Sequence, residues 1–205
     1  MKALLINGSP HAKGCTATAL GIVAEELEKN GVATEIIHIG NKDIRGCIAC
    51  RKCREIGRCV FDDIVNELAP KFEQADGLVV GSPVYFAGPN GTLTNLLDRL
   101  FFSTPFDKRM KVGTAIVSAR RGGTTASFDR LNKYFTISEM PVVSSRYWNM
   151  VHGHTPEDVM KDEEGVQIMR ILGRNMAFLI RAIAAERERN GLPEKEEIHY
   201  TNFIR

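Results

Sequence analysis

The chain has 205 residues, of which 43% are hydrophobic and 25% are charged. This length fits one α/β domain, so we expect residues 1–205 to form a single domain with one sizeable core. The net charge is only +2 and the basic residues form no long run, so we expect no binding to nucleic acid or to a membrane surface.

The N-terminus has a short apolar run, which is too short for the core of a signal peptide. No apolar stretch in the sequence approaches the length that spans a bilayer. We therefore expect a cytoplasmic protein. In a reducing cytosol its five cysteines are unsuited to structural disulfides, and four of them cluster between Cys47 and Cys59.

Apolar runs that predict strands alternate with patterns that predict helices. The predicted strands are residues 2–7, 34–39, 77–83, 111–118 and 141–144, and the predicted helices are residues 16–30, 62–74, 91–102, 124–134 and 164–190. Asp62 or Asp63 is expected to cap the second helix. This alternation predicts a parallel sheet with helices on both faces. Residues 40–61 and 145–162 fit neither a helix nor a strand.

The loop after the first strand, residues 8–16, has the composition of a phosphate site. Ser9 and Thr16 supply hydroxyls, Gly14 permits close approach of the backbone, and the following helix supplies N-terminal amides. The loop matches neither of the glycine-rich nucleotide motifs, which disfavours ATP and a dinucleotide. Alternatively, it is a polar turn whose hydroxyls cap the helix. Cys15 fits a small packed residue better than a nucleophile.

Two further loops are expected at the same edge of the sheet, because they follow the third and fourth strands. Residues 81–91 combine Tyr85 and Phe86 with prolines and glycines, which suits contact with a planar ring. Residues 118–123 end in two glycines that allow another close approach of the backbone. Alternatively, both are ordinary connections, and the two aromatic residues cover the core.

At these loops the sequence resembles the flavodoxin-like NAD(P)H-dependent FMN reductases over residues 1–145. The likeness lies in Gly8-Ser9-Pro10 with Gly14 and Thr16, in Gly81-Ser82-Pro83-Val84-Tyr85, in Leu96-Leu97-Asp98-Arg99, and in Arg120-Arg121-Gly122-Gly123. The resemblance implies an α/β, flavodoxin-like, doubly wound five-stranded parallel sheet. It also implies an FMN cofactor, NAD(P)H as electron donor, and a homodimer or homotetramer.

The same resemblance assigns cofactor-binding residues, but it assigns no catalytic acid or base. Ser9, His11, Thr16 and Ala17 would hold the FMN phosphate together with the backbone at Gly14. Cys15 stands where relatives usually have Asn or Ser. The ring would be lined by Pro83, Val84, Tyr85, Phe86 and Ala87, and its polar edge would be closed by Ser118, Arg120 and Gly122.

The loop after the second strand carries Cys47, Cys50, Cys53 and Cys59 in the pattern C-x2-C-x2-C-x5-C. Close x2 spacings let one loop supply several thiolates to a cubane cluster, and the flanking basic residues favour thiolates. The spacing is similar to that of the iron–sulfur flavoproteins, which implies a 4Fe–4S cluster. Zinc, and free thiols in an ordinary loop, are the alternatives.

Together these features predict an oxidoreductase that takes electrons from NAD(P)H or another donor. FMN and the cluster would pass them to a small-molecule or protein acceptor. The alternatives are a cluster-free NAD(P)H:FMN or quinone reductase, an electron carrier, and a zinc-stabilised binding module. Residues 145–205 are expected to form a flap and a C-terminal helix. Within them Trp148, His152 and His154 belong to a flap over a flavin or to a surface loop.

Overall fold

The computed structural model describes residues 1–201 and 203–204. These residues form one sheet whose five parallel strands lie in the order β2-β1-β3-β5-β6, with a short β4 antiparallel to β3. The strands are β1 (Lys2–Asn7), β2 (Ala33–His38), β3 (Gly77–Tyr85), β4 (Gly88–Pro89), β5 (Val112–Ala119) and β6 (Met150–His152). The predicted parallel sheet is confirmed.

Seven helices are formed by the described residues. They are α1 (Cys15–Lys29), α2 (Cys53–Ile56), α3 (Ile64–Gln74), α4 (Gly91–Ser103), α5 (Thr124–Thr136), α6 (Pro156–Lys161) and α7 (Glu163–Asn190). In the described part of the chain, none of the helices is long and apolar enough to cross a membrane.

Two apolar layers cover the sheet, one on each face. Leu4 and Ile6 of β1 face the layer that includes α3, α4 and α5, whereas Ala3 and Leu5 face the layer that includes α1 and α7. Successive side chains of a strand point to opposite faces, so a strand covered on both faces must be apolar throughout. This explains why the central strands appear in the sequence as continuous apolar runs.

The predicted cap of α3 is Asp63, whose Oδ1 accepts a hydrogen bond from the Val65 amide at 3.1 Å. Asn90 caps α4 in the same way, accepting from Thr92 at 2.7 Å. A side-chain oxygen at this position satisfies one of the amides that the first turn leaves without a partner. These caps fix where the helices begin beside the loops that follow β2 and β3.

The prediction for the fifth strand was wrong in position. Residues 141–144 contribute only an isolated bridge between Val142 and Gly113, and the ordered edge strand is β6, whose Met150 pairs with Val117. The intervening segment is held by Asn149, which donates to Thr114 Oγ1 at 2.9 Å. The edge strand is therefore interrupted, and neither half is long enough to show a strand pattern.

The two segments that were predicted to lack regular structure both contain some. Residues 145–162 hold β6 and α6, and Thr155 and Asp158 form a capping box at the start of α6. Residues 40–61 hold the single-turn helix α2, which ends at Gly57 with a left-handed backbone. One turn of helix and a three-residue strand are too short for their periodicity to be recognised.

The chain leaves β1 toward β2 on one side and later returns to β3 on the other side. In an open α/β sheet this reversal opens a crevice at the carboxyl ends of the two strands, where ligands bind. The loops after β1, β3, β5 and β6 all reach that edge.

Candidate functional site

An open cavity of about 270 Å³ lies at the carboxyl edge of the sheet. This volume is close to the lower end of the range for ligand pockets, about 300–1,000 Å³. Four strand ends contribute to its wall, which is lined by Ser9, His11, Gly14, Cys15, Thr16, Pro83, Val84, Tyr85, Ser118, Ala119, Arg120, Gly153 and His154. The structure thus brings together the three loops that the sequence singled out.

The loop of residues 8–16, called the phosphate loop from here on, is held by hydrogen bonds within itself and to its neighbours. Ser9 N donates to Asn7 Oδ1 at 3.0 Å, and His11 N donates to Ser9 Oγ at 3.1 Å. His38, the last residue of β2, places its Nε2 2.8 Å from the Ser9 carbonyl oxygen. The Ser9 hydroxyl therefore shapes the loop and does not cap the helix, which argues against the alternative of a simple capping turn.

The N-cap of helix α1 is Gly14, which has no side chain to cap the first turn. The amides of that turn are left for a ligand, and the helix dipole adds positive charge there. Thr16 Oγ1 lies 2.8 Å from Ser118 Oγ, and both residues are buried. This contact joins the phosphate loop to the end of β5. Ala17, one position further along α1, is partly buried outside the cavity lining.

Cys15 lines the cavity but is occupied by structural contacts. Its thiol donates to the Gly153 carbonyl oxygen at 3.6 Å. Burial raises the pKa of Cys15, and the nearby Asp158 and Glu157 carboxylates raise it further against an opposing backbone hydrogen bond. The thiol is therefore protonated at neutral pH, which fits the prediction of a packed residue rather than a nucleophile.

Strand β3 continues past Pro83 into a tight hairpin with β4. Phe86 and Ala87 form its turn, and both have a left-handed backbone, with φ of 49° and 58°. Tyr85 is 47% exposed and Phe86 is fully exposed, so neither covers the core as the alternative proposed. Tyr85 lines the cavity, whereas Phe86 and Ala87 extend beyond it at the tip of the hairpin.

The loop after β5 packs against this hairpin through Gly123, whose φ is 91°. A Cβ at Gly123 would lie 2.8 Å from the Ala87 Cα, which is closer than real Cβ contacts allow. Arg120 lines the cavity with an exposed side chain, and Gly122 is exposed beside it. Gly123 thus sets the spacing between the two loops.

The sequence left open whether residues 148–154 form a flap over a flavin or a surface loop, and the structure places Gly153 and His154 of this segment in the cavity wall beside the phosphate loop. Gly153 N donates to the Ala119 carbonyl oxygen at 3.1 Å, and a Cβ at Gly153 would lie 2.8 Å from the Val159 amide nitrogen. The sequence feature that marks a strand end at this wall is the apolar pair Met150-Val151, which is followed by a polar loop and a helix. Trp148 lies outside this wall, half exposed, with its ring 4.7 Å from that of Tyr147.

A second cavity gathers the four clustered cysteines. It is lined by Cys47, Cys50, Cys53 and Cys59, by Phe61, and by Arg99, Phe102 and Ser103 of α4. Cys47 and Cys50 are exposed, while Cys53 and Cys59 are partly buried. The loop after β2 therefore folds over the C-terminal half of α4 and brings all four cysteines around one space.

The backbone of the cysteine loop is shaped to receive negative charge. Ala49 and Arg51 have φ of 53° and 58°, and Lys52, next to Arg51, is right-handed. Adjacent left- and right-handed residues point their amides toward one concave site, as around many iron–sulfur centres. Two non-glycine residues in this conformation cost about 1–3 kcal/mol each, so the loop is strained where the cysteines lie.

Within the described residues, no three His, Cys, Asp or Glu side chains lie close enough to hold a single metal ion. A four-ligand zinc site needs its thiolates at about 2.3 Å from one ion. A cubane cluster takes four cysteine thiolates around several irons, which spaces the sulfurs around a larger volume. Four cysteines line one cavity here, and a donor set of four thiolates has the chemistry that either group requires.

Comparison with known proteins agrees with the geometry. Residues 1–155 match the family described as NADPH-dependent FMN reductase. An iron-sulfur flavoprotein of Methanocaldococcus jannaschii is 34% identical over 194 residues, covering 89% of this chain and 99% of the relative. Another, from Methanosarcina thermophila, is 28% identical over 193 residues, covering 92% and 100%. A solved flavodoxin from the domain Archaea superposes with a TM-score of 0.61 at 15% identity, covering 88% of this chain and 99% of that chain.

The sheet order and the cavity at its carboxyl edge define a flavodoxin-like, FMN-dependent oxidoreductase. The chain belongs to the NADPH-dependent FMN reductase family, and within it to the iron-sulfur flavoproteins. The family predicted from the three loops and the cysteine spacing is thereby confirmed. The individual site residues stay a prediction.

Proposed function

We propose that this oxidoreductase takes electrons from NAD(P)H or another donor and passes them through FMN and one 4Fe–4S cluster to a small-molecule or protein acceptor. The observation that carries the proposal is the cavity lined by all four clustered cysteines. It lies in a chain whose other cavity, at the carboxyl edge of the sheet, combines hydroxyl groups, the first turn of a helix and an aromatic side chain, which suit a phosphate and a planar ring.

FMN accepts two electrons and releases them singly, whereas a 4Fe–4S cluster moves one electron at a time. The chain supplies the binding, the orientation and the electrostatics for both groups. In the proposed flavin site, the first turn of α1 and the Thr16 hydroxyl would bind the phosphate, and Ser9 holds the loop in shape. Tyr85 would contact the ring, and Arg120 would supply a positive charge near its polar atoms.

In the proposed cluster site, Cys47, Cys50, Cys53 and Cys59 are the four ligands. Cys15 is excluded because it lines the other cavity and donates to Gly153. The concave backbone at Ala49 and Arg51 and the basic side chains around it offset the negative charge of a thiolate-ligated cluster.

We further propose that the protein is cytoplasmic and acts as a homodimer or homotetramer. Exposed aromatic side chains support an assembly, since Phe86 is fully exposed and Tyr147 and Trp148 are half exposed. Sedimentation measures the subunit number directly, and a monomer at working concentration contradicts this part of the proposal.

The test of the proposed function is chemical analysis after anaerobic purification. We expect four iron atoms and four acid-labile sulfides per chain, and we expect FMN, not FAD, on denaturation. Replacing Cys47, Cys50, Cys53 or Cys59 singly with Ser should make the iron labile. Cys15→Ala is the matched control and should keep the full iron content.

Each rival function gives a different result in the same preparation. Stoichiometric zinc without sulfide indicates a zinc-stabilised module, and five titratable thiols without metal indicate a cluster-free reductase. Rapid anaerobic oxidation of NAD(P)H with electron transfer to the cluster supports the proposed enzyme. A cluster that no nicotinamide or protein donor reduces on a catalytic time scale indicates that the cluster has no part in turnover.

A further inference from the structure

Arg99 of α4 is an arginine with only 1% of its surface exposed. Its guanidinium makes two hydrogen bonds to Asp63, from Nη1 to Oδ2 at 2.7 Å and from Nη2 to Oδ1 at 2.9 Å. It also donates to the carbonyl oxygens of Arg45 and Phe61 at 3.3 and 3.4 Å. A buried cation is tolerated only where it is paired and hydrogen-bonded in this way.

The remaining hydrogen bonds of this guanidinium are with a sulfur atom, and its Cζ lies 5.1 Å from the centre of the Phe61 ring. Nε and Nη2 of Arg99 donate to Cys59 Sγ at 3.3 and 3.2 Å. One edge of the planar guanidinium thus faces the Asp63 carboxylate, and the other faces Cys59, a proposed cluster ligand. The planar guanidinium can make both sets of contacts at once, which a lysine cannot do.

Cys59 is also the most firmly held of the four clustered cysteines. Its amide donates to Asn66 Oδ1 at 3.0 Å, and its carbonyl oxygen accepts from Asn66 Nδ2 at 3.0 Å. Cys53 has a single weak contact, from Sγ to the Phe102 carbonyl oxygen at 3.9 Å. Cys47 and Cys50 are exposed on the loop.

Hydrogen bonds to a cluster sulfur and nearby positive charge stabilise the form of a cluster that carries more negative charge. Reduction adds one negative charge, so both effects raise the reduction potential. We propose that Arg99 is a positioning residue that fixes Cys59 as the anchored ligand and raises the reduction potential of the cluster. The inference rests on the proposed function, because it requires the 4Fe–4S cluster.

The experiment is a redox titration of the anaerobically purified holoprotein, with the cluster followed by electron paramagnetic resonance. Arg99→Gln removes the charge and most of the hydrogen bonds to sulfur. We expect the cluster equilibrium to shift about tenfold toward the oxidised form, which is about 59 mV for a one-electron couple. Arg99→Lys, which keeps the charge, should recover part of the shift. The FMN potential of the same sample should stay unchanged.

Two further variants separate this role from simple damage to the fold. Asp63→Asn keeps the helix cap, since Asn caps as well as Asp. It removes the carboxylate that neutralises Arg99, so it should move the cluster potential upward. Arg58→Gln removes an exposed charge beside Cys59, and solvent screening should make its effect much smaller.

The outcomes also distinguish the two proposals. Wild-type protein without iron and sulfide overturns the proposed cluster and this inference with it. Wild-type protein with a full cluster, but with the same potential in Arg99→Gln and Asp63→Asn, overturns the role of Arg99 alone. A downward shift in both variants indicates structural damage and likewise overturns it. If Arg99→Gln fails to fold, the cluster potentials of Asp63→Asn and Arg99→Lys still test the role of Arg99.

Discussion

Gly14 is the residue at which the phosphate loop becomes a helix, and its backbone lies in the extended region, with φ of −89°. A valine adopts this conformation easily, but its Cβ would lie 3.1 Å from the His11 Cβ and its methyl groups would enter the cavity wall. We expect Gly14→Val to weaken FMN binding at least tenfold, about 1.4 kcal/mol, with a smaller effect on folding. Titration of the apoprotein with FMN measures the affinity.

The matched control is the neighbouring Lys13→Ala. Lys13 is exposed and is not part of the wall of the flavin cavity, so it adds only a screened charge. We expect a change of less than threefold in FMN affinity. Equal affinities for wild type and Gly14→Val would mean that the loop does not approach the phosphate closely.

The sequence supplied the residues of both cavities but not their contacts. Ser9, Thr16 and the four clustered cysteines were recognisable because their types and spacing match a chemistry. The hydrogen bonds from Arg99 to Cys59 were not recognisable, since the two residues are 40 positions apart. A side-chain pair of this kind depends on how the loop folds over α4, which no local pattern records.

Among the elements, the β3–β4 hairpin and the loop after β5 depend on each other through Gly123. An alanine there would be strained at a φ of 91°, and its Cβ would push against Ala87 and Val84. We expect Gly123→Ala to lower the free energy of unfolding by about 1–3 kcal/mol. It should also reduce the quenching of bound flavin by Tyr85, because the hairpin moves. Urea unfolding and flavin fluorescence measure the two effects.

Gly122→Ala is the control for this prediction. A Cβ at Gly122 would meet no atom of the described residues within 4 Å, and its φ is outside the left-handed region. We expect a change within about 0.5 kcal/mol. If both alanine variants behave alike, the contact between the hairpin and Gly123 does not set the position of Tyr85.

The edge strand β2 is tied to its neighbours by Glu35. Its carboxylate accepts from Lys2 of β1 at 2.5 Å and from Lys71 of α3. The hydrogen bond from Lys2, then that from Lys71, lowers the pKa of Glu35. A carboxyl whose pKa is lower in the folded state stabilises the fold above the pKa of the unfolded chain, about 4.3, and loses that contribution as the pH falls.

Glu35→Gln should therefore be less stable than wild type at pH 7 and should lose less stability between pH 6 and pH 3. Urea unfolding over this range measures both slopes, and Glu67→Gln, at an exposed position of α3, is the control. Parallel pH profiles for wild type and Glu35→Gln would show that the ion pairs contribute nothing to the fold.

The sequence predicted long elements better than short or interrupted ones. The strand β1 and the helix α7 have enough residues for their apolar pattern to repeat, so their bounds were nearly right. The edge strand was misplaced because its two paired parts are separated by residues 143–149. The position of Gly153 and His154 in the cavity wall follows from that interrupted strand, so the sequence could not decide between a flap and a surface loop there.

At the scale of the whole molecule, the cavity at the carboxyl edge of the sheet links four strand ends that are far apart in the sequence. Gly8 N donates to the Gly81 carbonyl oxygen at 2.8 Å, Thr16 contacts Ser118, and Gly153 bonds to Ala119. A ligand in this cavity therefore contacts loops from most of the chain. Because a ligand that binds only the folded state stabilises it, FMN should protect the entire fold.

This coupling gives a prediction that separates the phosphate loop from the ring site. Riboflavin has the ring of FMN without the phosphate. At a concentration of 100 times its Kd, FMN should stabilise the apoprotein by about 2.7 kcal/mol. At the same concentration riboflavin should raise the thermal midpoint clearly less, because the first turn of α1 gains no anion. The difference between the two ligands should shrink in Gly14→Val and persist in Lys13→Ala. Equal midpoints with FMN and riboflavin in wild type would show that the loop before α1 does not bind the phosphate.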